Sequence, residues 1–163
     1  MKLRFASSAF AFAFATIATI GLAASPASAG FYPTNDCVSA KQKALGKLCG
    51  GVAKAWAKYY KDPAKDGAVD TRNDAIDKVS QKFYDSFDKA ESKAADKDAE
   101  CAETTLDQLD LRDSVVYEVE SLVTSITSTI NQGDKDDVKC RTKIIKEVGK
   151  LCGSELKALA KEL

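Results

Sequence analysis

The sequence predicts an all-α fold, an antiparallel bundle of about four helices stapled by disulfides. Three observations carry that prediction. Apolar residues recur at spacings of three and four along four long stretches. Beyond Pro33 there is one further proline, Pro63, and the glycines fall mainly at punctuation points, which disfavours a turn-rich all-β chain. All five cysteines lie beyond residue 36.

Residues 1–29 read as a secretory signal peptide, with Lys2 and Arg4 at the start, an apolar run from Phe5 to Ala24, and an Ala27-Ser28-Ala29 exit. An uncleaved anchor is the alternative, because the run is about as long as a spanning helix needs. Cleavage after Ala29 leaves no membrane span and a single helical domain over residues 30–163, secreted or periplasmic. Oxidising compartments let disulfides persist. Five cysteines is an odd number, so two intramolecular bridges at most leave one thiol over.

The first helix is expected from Asp36, an N-cap, to Lys61, ending before Asp62-Pro63. Its apolar stripe is Ala44, Leu45, Leu48, Val52, Trp56 and Tyr59. The second starts near Asp70-Thr71 and continues past Ala99, with Ile76, Val79, Phe83, Phe87, Ala90 and Ala94 on one face. Continuing that face points Cys101 inward. A break is expected between Thr104 and Asp113, where β-branched and Asp residues replace the Ala/Lys/Glu background. The third helix carries Val115, Val119, Leu122, Ile126 and Ile130 and stops at Asn131-Gln132-Gly133. The fourth begins at Asp134 to Asp137 and turns Val138, Ile144, Val148, Leu151, Leu156 and Leu159 inward.

The first and fourth helices read as copies of one unit. Residues 37–60 align with 140–163 without gaps, matching Cys37 with Cys140, Lys43 with Lys146, and Gly46-Lys47-Leu48-Cys49-Gly50 with Gly149-Lys150-Leu151-Cys152-Gly153. Lys54-Ala55 and Ala57-Lys58 match Lys157-Ala158 and Ala160-Lys161. Small residues around a cysteine have a physical reason. A disulfide needs Cα atoms about 4.4–6.8 Å apart, closer than ordinary helix packing provides. Gly50-Gly51 ending or kinking the first helix is the competing reading.

Equal spacing in antiparallel helices makes Cys37–Cys152 with Cys49–Cys140 the leading pairing, leaving Cys101 as the free thiol. This resembles, in architecture, the twin Cys-x(n)-Cys helical hairpins. The spacing here is eleven residues rather than nine and the segments are far apart in sequence, so the resemblance implies no function. Against the twin pattern, twelve helical steps turn the second cysteine about 120° from the first. Pairing Cys37 with Cys101, and Cys49 with a cysteine of the fourth helix, removes that strain.

Lys2 and Arg4 are the only two of the 24 basic residues lost with the leader, while all 24 acidic residues remain. This near-neutral bulk charge disfavours a nucleic-acid or anionic-membrane partner. With no histidine, the chain lacks the usual partner of a nucleophilic serine or cysteine and an imidazole metal ligand. It holds no Cys-x2-Cys metal or redox pair, so no catalytic residue, metal or cofactor is expected. Asp62, Asp66, Gly67, Val69 and Asp70 partly fill an EF-hand-like frame, but Ala64 and Asn73 stand where two ligands belong, and a capped turn is expected. Asp107 and Asp110 are paired carboxylates, read as a solvated face. Trp56, Tyr59 and Tyr60 should meet Phe83 and Phe87 as core or, on a sharper reading, as a pocket for an apolar ligand. The outer Ser/Thr face of the third helix is the candidate surface for a protein partner or self-association. The expected function is an exported, non-enzymatic structural or protein-interaction domain, with a lipid-like carrier or a periplasmic chaperone as alternatives.

Overall fold

A computed structural model describes residues 36–97, 101 and 107–162. The leader expected over residues 1–29 lies outside the described residues. Four helices are present: α1 (Asp36–Lys61), α2 (Ala68–Ala95), α3 (Gln108–Thr127) and α4 (Lys135–Glu162). No strand occurs among the described residues, and none of their helices is long and apolar enough to cross a membrane.

α1 is the central helix. It packs against all three others, most extensively α4 and α2, whereas α2 and α4 share no contact among the described residues. Both neighbours run antiparallel to α1, and α3 contacts all three. The composition of α1 explains its place. Cys37, Ala44, Leu48, Cys49, Val52, Ala53, Ala55 and Ala57 are all buried, too many for a single apolar stripe, and they supply small surfaces on two sides. The core is completed by Ile76, Phe83 and Phe87 of α2, Val119 and Val123 of α3, and Ile145 of α4.

The turn from α1 to α2 uses Gly67 at φ 66°, a left-handed conformation that favours glycine. α2 ends at Ala95 with Asp96 as its C-cap, rather than continuing past Ala99 as expected. α3 begins where Asp107 accepts a hydrogen bond from the Asp110 backbone N–H at 2.8 Å. It also stops earlier than expected, at Thr127, and Ile130 lies beyond it. In its last turns hydroxyls bond back to the helix's own carbonyls, Thr127 to Val123 at 2.8 Å and Ser125 to Ser121 at 3.1 Å, and the Arg141 guanidinium takes the Ile126 carbonyl at 2.9 Å. Asp134 starts α4 by accepting from the backbone N–H groups of Asp136 and Asp137.

α4 turns a different face inward from the one hydrophobic spacing suggests. Ile144, Leu151 and Leu159 are 42%, 41% and 50% exposed, while Ile145 is fully buried and Gly149, Gly153 and Ala160 face α1. Leu156 is half-buried on the same inner face. The smallest residues decide the seam because they let the backbones approach. A Cβ on Gly46 would lie 3.1 Å from the Gly153 carbonyl oxygen, and one on Gly153 would lie 3.1 Å from that of Gly46. Gly50 and Gly149 meet in the same reciprocal way. Continuous helix through Gly50-Gly51 excludes a break there.

Candidate functional site

The reciprocal glycine contacts define a local pseudo-two-fold axis. Gly46 corresponds to Gly149 and Gly50 to Gly153 in the internal repeat, and across the seam Gly46 meets Gly153 while Gly50 meets Gly149, so the correspondence carries one contact onto the other. Cys49 and Cys152 are the corresponding cysteines, and they bond to each other with Cα atoms 6.3 Å apart. The second disulfide joins Cys37 to Cys101, Cα atoms 5.5 Å apart, against Ala40, Ala90 and Ala94. Cys140 is the free and exposed cysteine.

The leading pairing of the sequence analysis is therefore corrected. Cys37 bonds neither Cys152 nor any other residue of α4, Cys49 does not bond Cys140, and Cys101 is not a free thiol. The cause is the 120° rotation between the two cysteines of each unit. Cys49 faces α4, so Cys37 must face α2. Cys152 faces α1, so Cys140 must face away from it, where none of the described helices stands. The alternative pairing had the right geometry.

The aromatic residues pack in two groups against the core. Phe83 and Phe87 are buried, with ring centroids 5.6 Å apart. Trp56 and Tyr60 stack at 5.8 Å and are partly buried against the same core, and Tyr59 meets both edge-on. The Arg72 guanidinium covers this second group, 4.2 Å from the Trp56 ring centre. Lys41, almost wholly buried, reaches Glu91 at 2.7 Å and lies 4.2 Å from the centre of the Phe87 ring.

The loop of the EF-hand-like frame is an ordinary turn into α2, and no cluster able to hold a metal ion is found among the described residues. Asp107 is a helix cap. On α3 the outer face presents Tyr117, 69% exposed, among Ser121, Thr124 and Ser125. Asp137 at the start of α4 accepts from the Asn131 backbone N–H at 2.8 Å and from Arg141 at 3.2 Å. These bonds, the backbone one foremost, hold its carboxyl below the usual carboxylate range.

One surface is absent from the sequence expectations. Cys140, Ile144, Val148 and Leu151, flanked by Lys143, Glu147, Lys150 and Ser154, line an open depression of about 650 Å3 on the outside of α4. In the repeat the first four correspond to Cys37, Lys41, Leu45 and Leu48. Those are the positions at which α1 receives α2: Cys37 bonds Cys101, Lys41 pairs with Glu91, and Leu48 is 1% exposed. The gapless alignment already contained this correspondence, but assigning Leu151 to the core concealed it. No family model, curated protein or solved structure matches the chain.

Proposed function

We propose that this is an exported, non-enzymatic protein-interaction domain that receives an amphipathic helix of a partner on the outer face of α4. The observation that carries the reading is the pair of equivalent faces on α1 and α4, one covered by α2 and the other open. Solvent-facing Ile144 and Leu151, at helical spacing beside Cys140, form a continuous apolar strip rather than scattered single residues. The two disulfides agree with an oxidising compartment, and a secreted or periplasmic location follows from the leader-like residues 1–29.

The test is cross-linking from Cys140 with a thiol-attached photoprobe in the exported fraction, followed by mass spectrometry. The expected result is one dominant adduct, lost in an Ile144→Glu/Leu151→Glu variant whose circular dichroism is unchanged. Adducts that form equally well in that variant, or no adduct at all, would overturn the reading. An adduct at twice the chain's own mass identifies the partner as a second copy.

A further inference from the structure

The lysines of three helices share one register. They stand at Lys43, Lys47, Lys54 and Lys58 in α1, at Lys78, Lys82, Lys89 and Lys93 in α2, and at Lys146, Lys150, Lys157 and Lys161 in α4, each set stepping by four, seven and four. At about 100° per residue these steps keep each set within a stripe about 60° wide. All twelve side chains are exposed.

The three stripes lie on the same side of the molecule. α4, α1 and α2 form an antiparallel layer with α1 in the middle. The pseudo-two-fold axis through the Gly46–Gly153 and Gly50–Gly149 contacts is normal to the plane of α1 and α4, so it carries the α1 stripe onto the α4 stripe without changing sides. On the other flank, Lys47 of α1 lines one depression with Lys82 and Lys89 of α2. Two acids of α2 turn the other way, toward α3: Asp77 approaches Arg112 at 3.9 Å, and Asp88 accepts from Gln108, whereas Asp85 lines the depression with the lysines and Glu91 pairs with Lys41 of α1. α3 itself carries Asp110, Asp113, Glu118 and Glu120 against Arg112 and no lysine. Near-neutral bulk charge thus conceals a lysine-rich side, on which Asp85 and Glu147 stand beside the stripes, and a more acidic side at α3.

We propose that the lysine side of the α4–α1–α2 layer is a docking surface for an anionic lipid bilayer. Charge complementarity gives the sign, and shape gives the occupant. Three rows, each about 22 Å long from first to last lysine, make a plane rather than a thread-like groove, and a plane fits a bilayer better than a linear polyanion. Among the twelve lysines the single ion pair is Lys150 with Glu147, so the rest are free to meet headgroup phosphates. Lysine is a compact point charge on a flexible stem, suited to mobile headgroups, whereas fixed bidentate recognition calls for arginine. The three described arginines are spent inside the molecule, Arg72 over Trp56, Arg112 on Ser80 and Asp113, and Arg141 on Asp137 and the Ile126 carbonyl. No aromatic residue stands in the three stripes to stack on bases, as a single-stranded nucleic acid would require. Docking is peripheral and electrostatic, with α3 held away from the membrane.

The test is vesicle co-sedimentation of the exported, oxidised protein with phosphatidylcholine vesicles containing about a third phosphatidylglycerol, and with pure phosphatidylcholine. Binding is expected to the anionic vesicles alone, falling steeply between 50 mM and 300 mM salt. Each lysine near an anionic surface contributes about fivefold. The variant Lys47→Gln/Lys54→Gln/Lys146→Gln/Lys157→Gln should therefore lose on the order of a hundredfold or more. Adding Asp74→Asn/Asp110→Asn/Glu118→Gln/Glu120→Gln restores the net charge and should not restore binding. Circular dichroism confirms that each variant is folded. Three results would overturn the proposal: no preference for anionic vesicles, binding that tracks net charge rather than the lysine side, or lysine-dependent binding to heparin or duplex DNA without binding to vesicles. So would salt-sensitive self-association abolished by the lysine variant without vesicle binding, which assigns the surface to the acidic side of a second copy.

Discussion

Replacing Gly149 by alanine tests the α1–α4 seam at its tightest point. The new Cβ would stand 2.6 Å from the Ala53 Cβ, whereas carbon atoms pack at about 3.5–4.0 Å. Relief requires the helices to part by about 1 Å where the Cys49–Cys152 bond and the Gly46–Gly153 contact hold them together. Overpacking of this kind costs about 1–3 kcal/mol. Exchange of an interior glycine for alanine returns about 1 kcal/mol of helix propensity. The net expectation is a loss of up to about 2 kcal/mol, read as a lower urea midpoint at unchanged slope by far-ultraviolet circular dichroism with disulfides intact. The decisive comparison is with Ala53→Gly, which removes the opposing methyl group. Alone it should cost about 1 kcal/mol or more through propensity and lost packing. Combined with Gly149→Ala it merely moves the methyl across the seam, where the next contacts, 3.5 and 3.6 Å to Gly50, are ordinary. The double variant should then be more stable than additivity predicts by about 1–2 kcal/mol. If Gly149→Ala instead stabilises the protein by its full propensity gain and shows no coupling to Ala53→Gly, the close seam and the two-fold axis built on it are wrong.

Three further outcomes are expected. Ser39→Ala removes a buried 2.6 Å hydrogen bond to the Ala160 carbonyl, a last-turn acceptor without a partner of its own in α4, and should cost about 1 kcal/mol in urea unfolding. Because the folded protein holds the Asp137 carboxyl below its unfolded value of 3.8, its stabilisation is complete above that value and lost as pH falls through the lower folded one. The urea midpoint of Asp137→Asn should accordingly vary less below about pH 4 than that of the wild type. Iodoacetamide applied to the native, unreduced protein should add a single alkyl group, mapped by peptide mass spectrometry to Cys140, whereas labelling at Cys101 would contradict the Cys37–Cys101 bridge.

The expected bounds of α1, Asp36 and Lys61, are those observed, the far one marked chemically by the Asp62-Pro63 step. The inner face of α2 was equally legible, since Ile76, Phe83, Phe87, Ala90 and Ala94 are all buried. For α4 the same reasoning failed, because two faces compete there. Ile144, Leu151 and Leu159 satisfy helical spacing as well as the true inner residues do, and apolar size favours them. What excludes them is the backbone approach that Gly149 and Gly153 permit, a property of the pair of helices rather than of either alone. The disulfide pairing turned on the same point. Rotation by about 120° between cysteines twelve residues apart was calculable, but which neighbour each would meet depended on where α2 and α4 stand around α1. Overall charge was readable and misleading, because neutrality of the sum says nothing about which side of a layer each sign occupies.

Both disulfides begin on α1, and this gives the chain a covalent plan distinct from its linear order. A protease cut between Asp62 and Gly67 and another between Ser128 and Asp134 would leave three pieces, bearing Cys37 with Cys49, Cys101, and Cys152. The second and third pieces would each remain tethered to the first. Doubly nicked protein would migrate as one species on a non-reducing gel and separate into three only after a thiol is added. Wherever peptide bonds are attacked more readily than disulfides are reduced, such a chain outlasts the continuity of its own backbone.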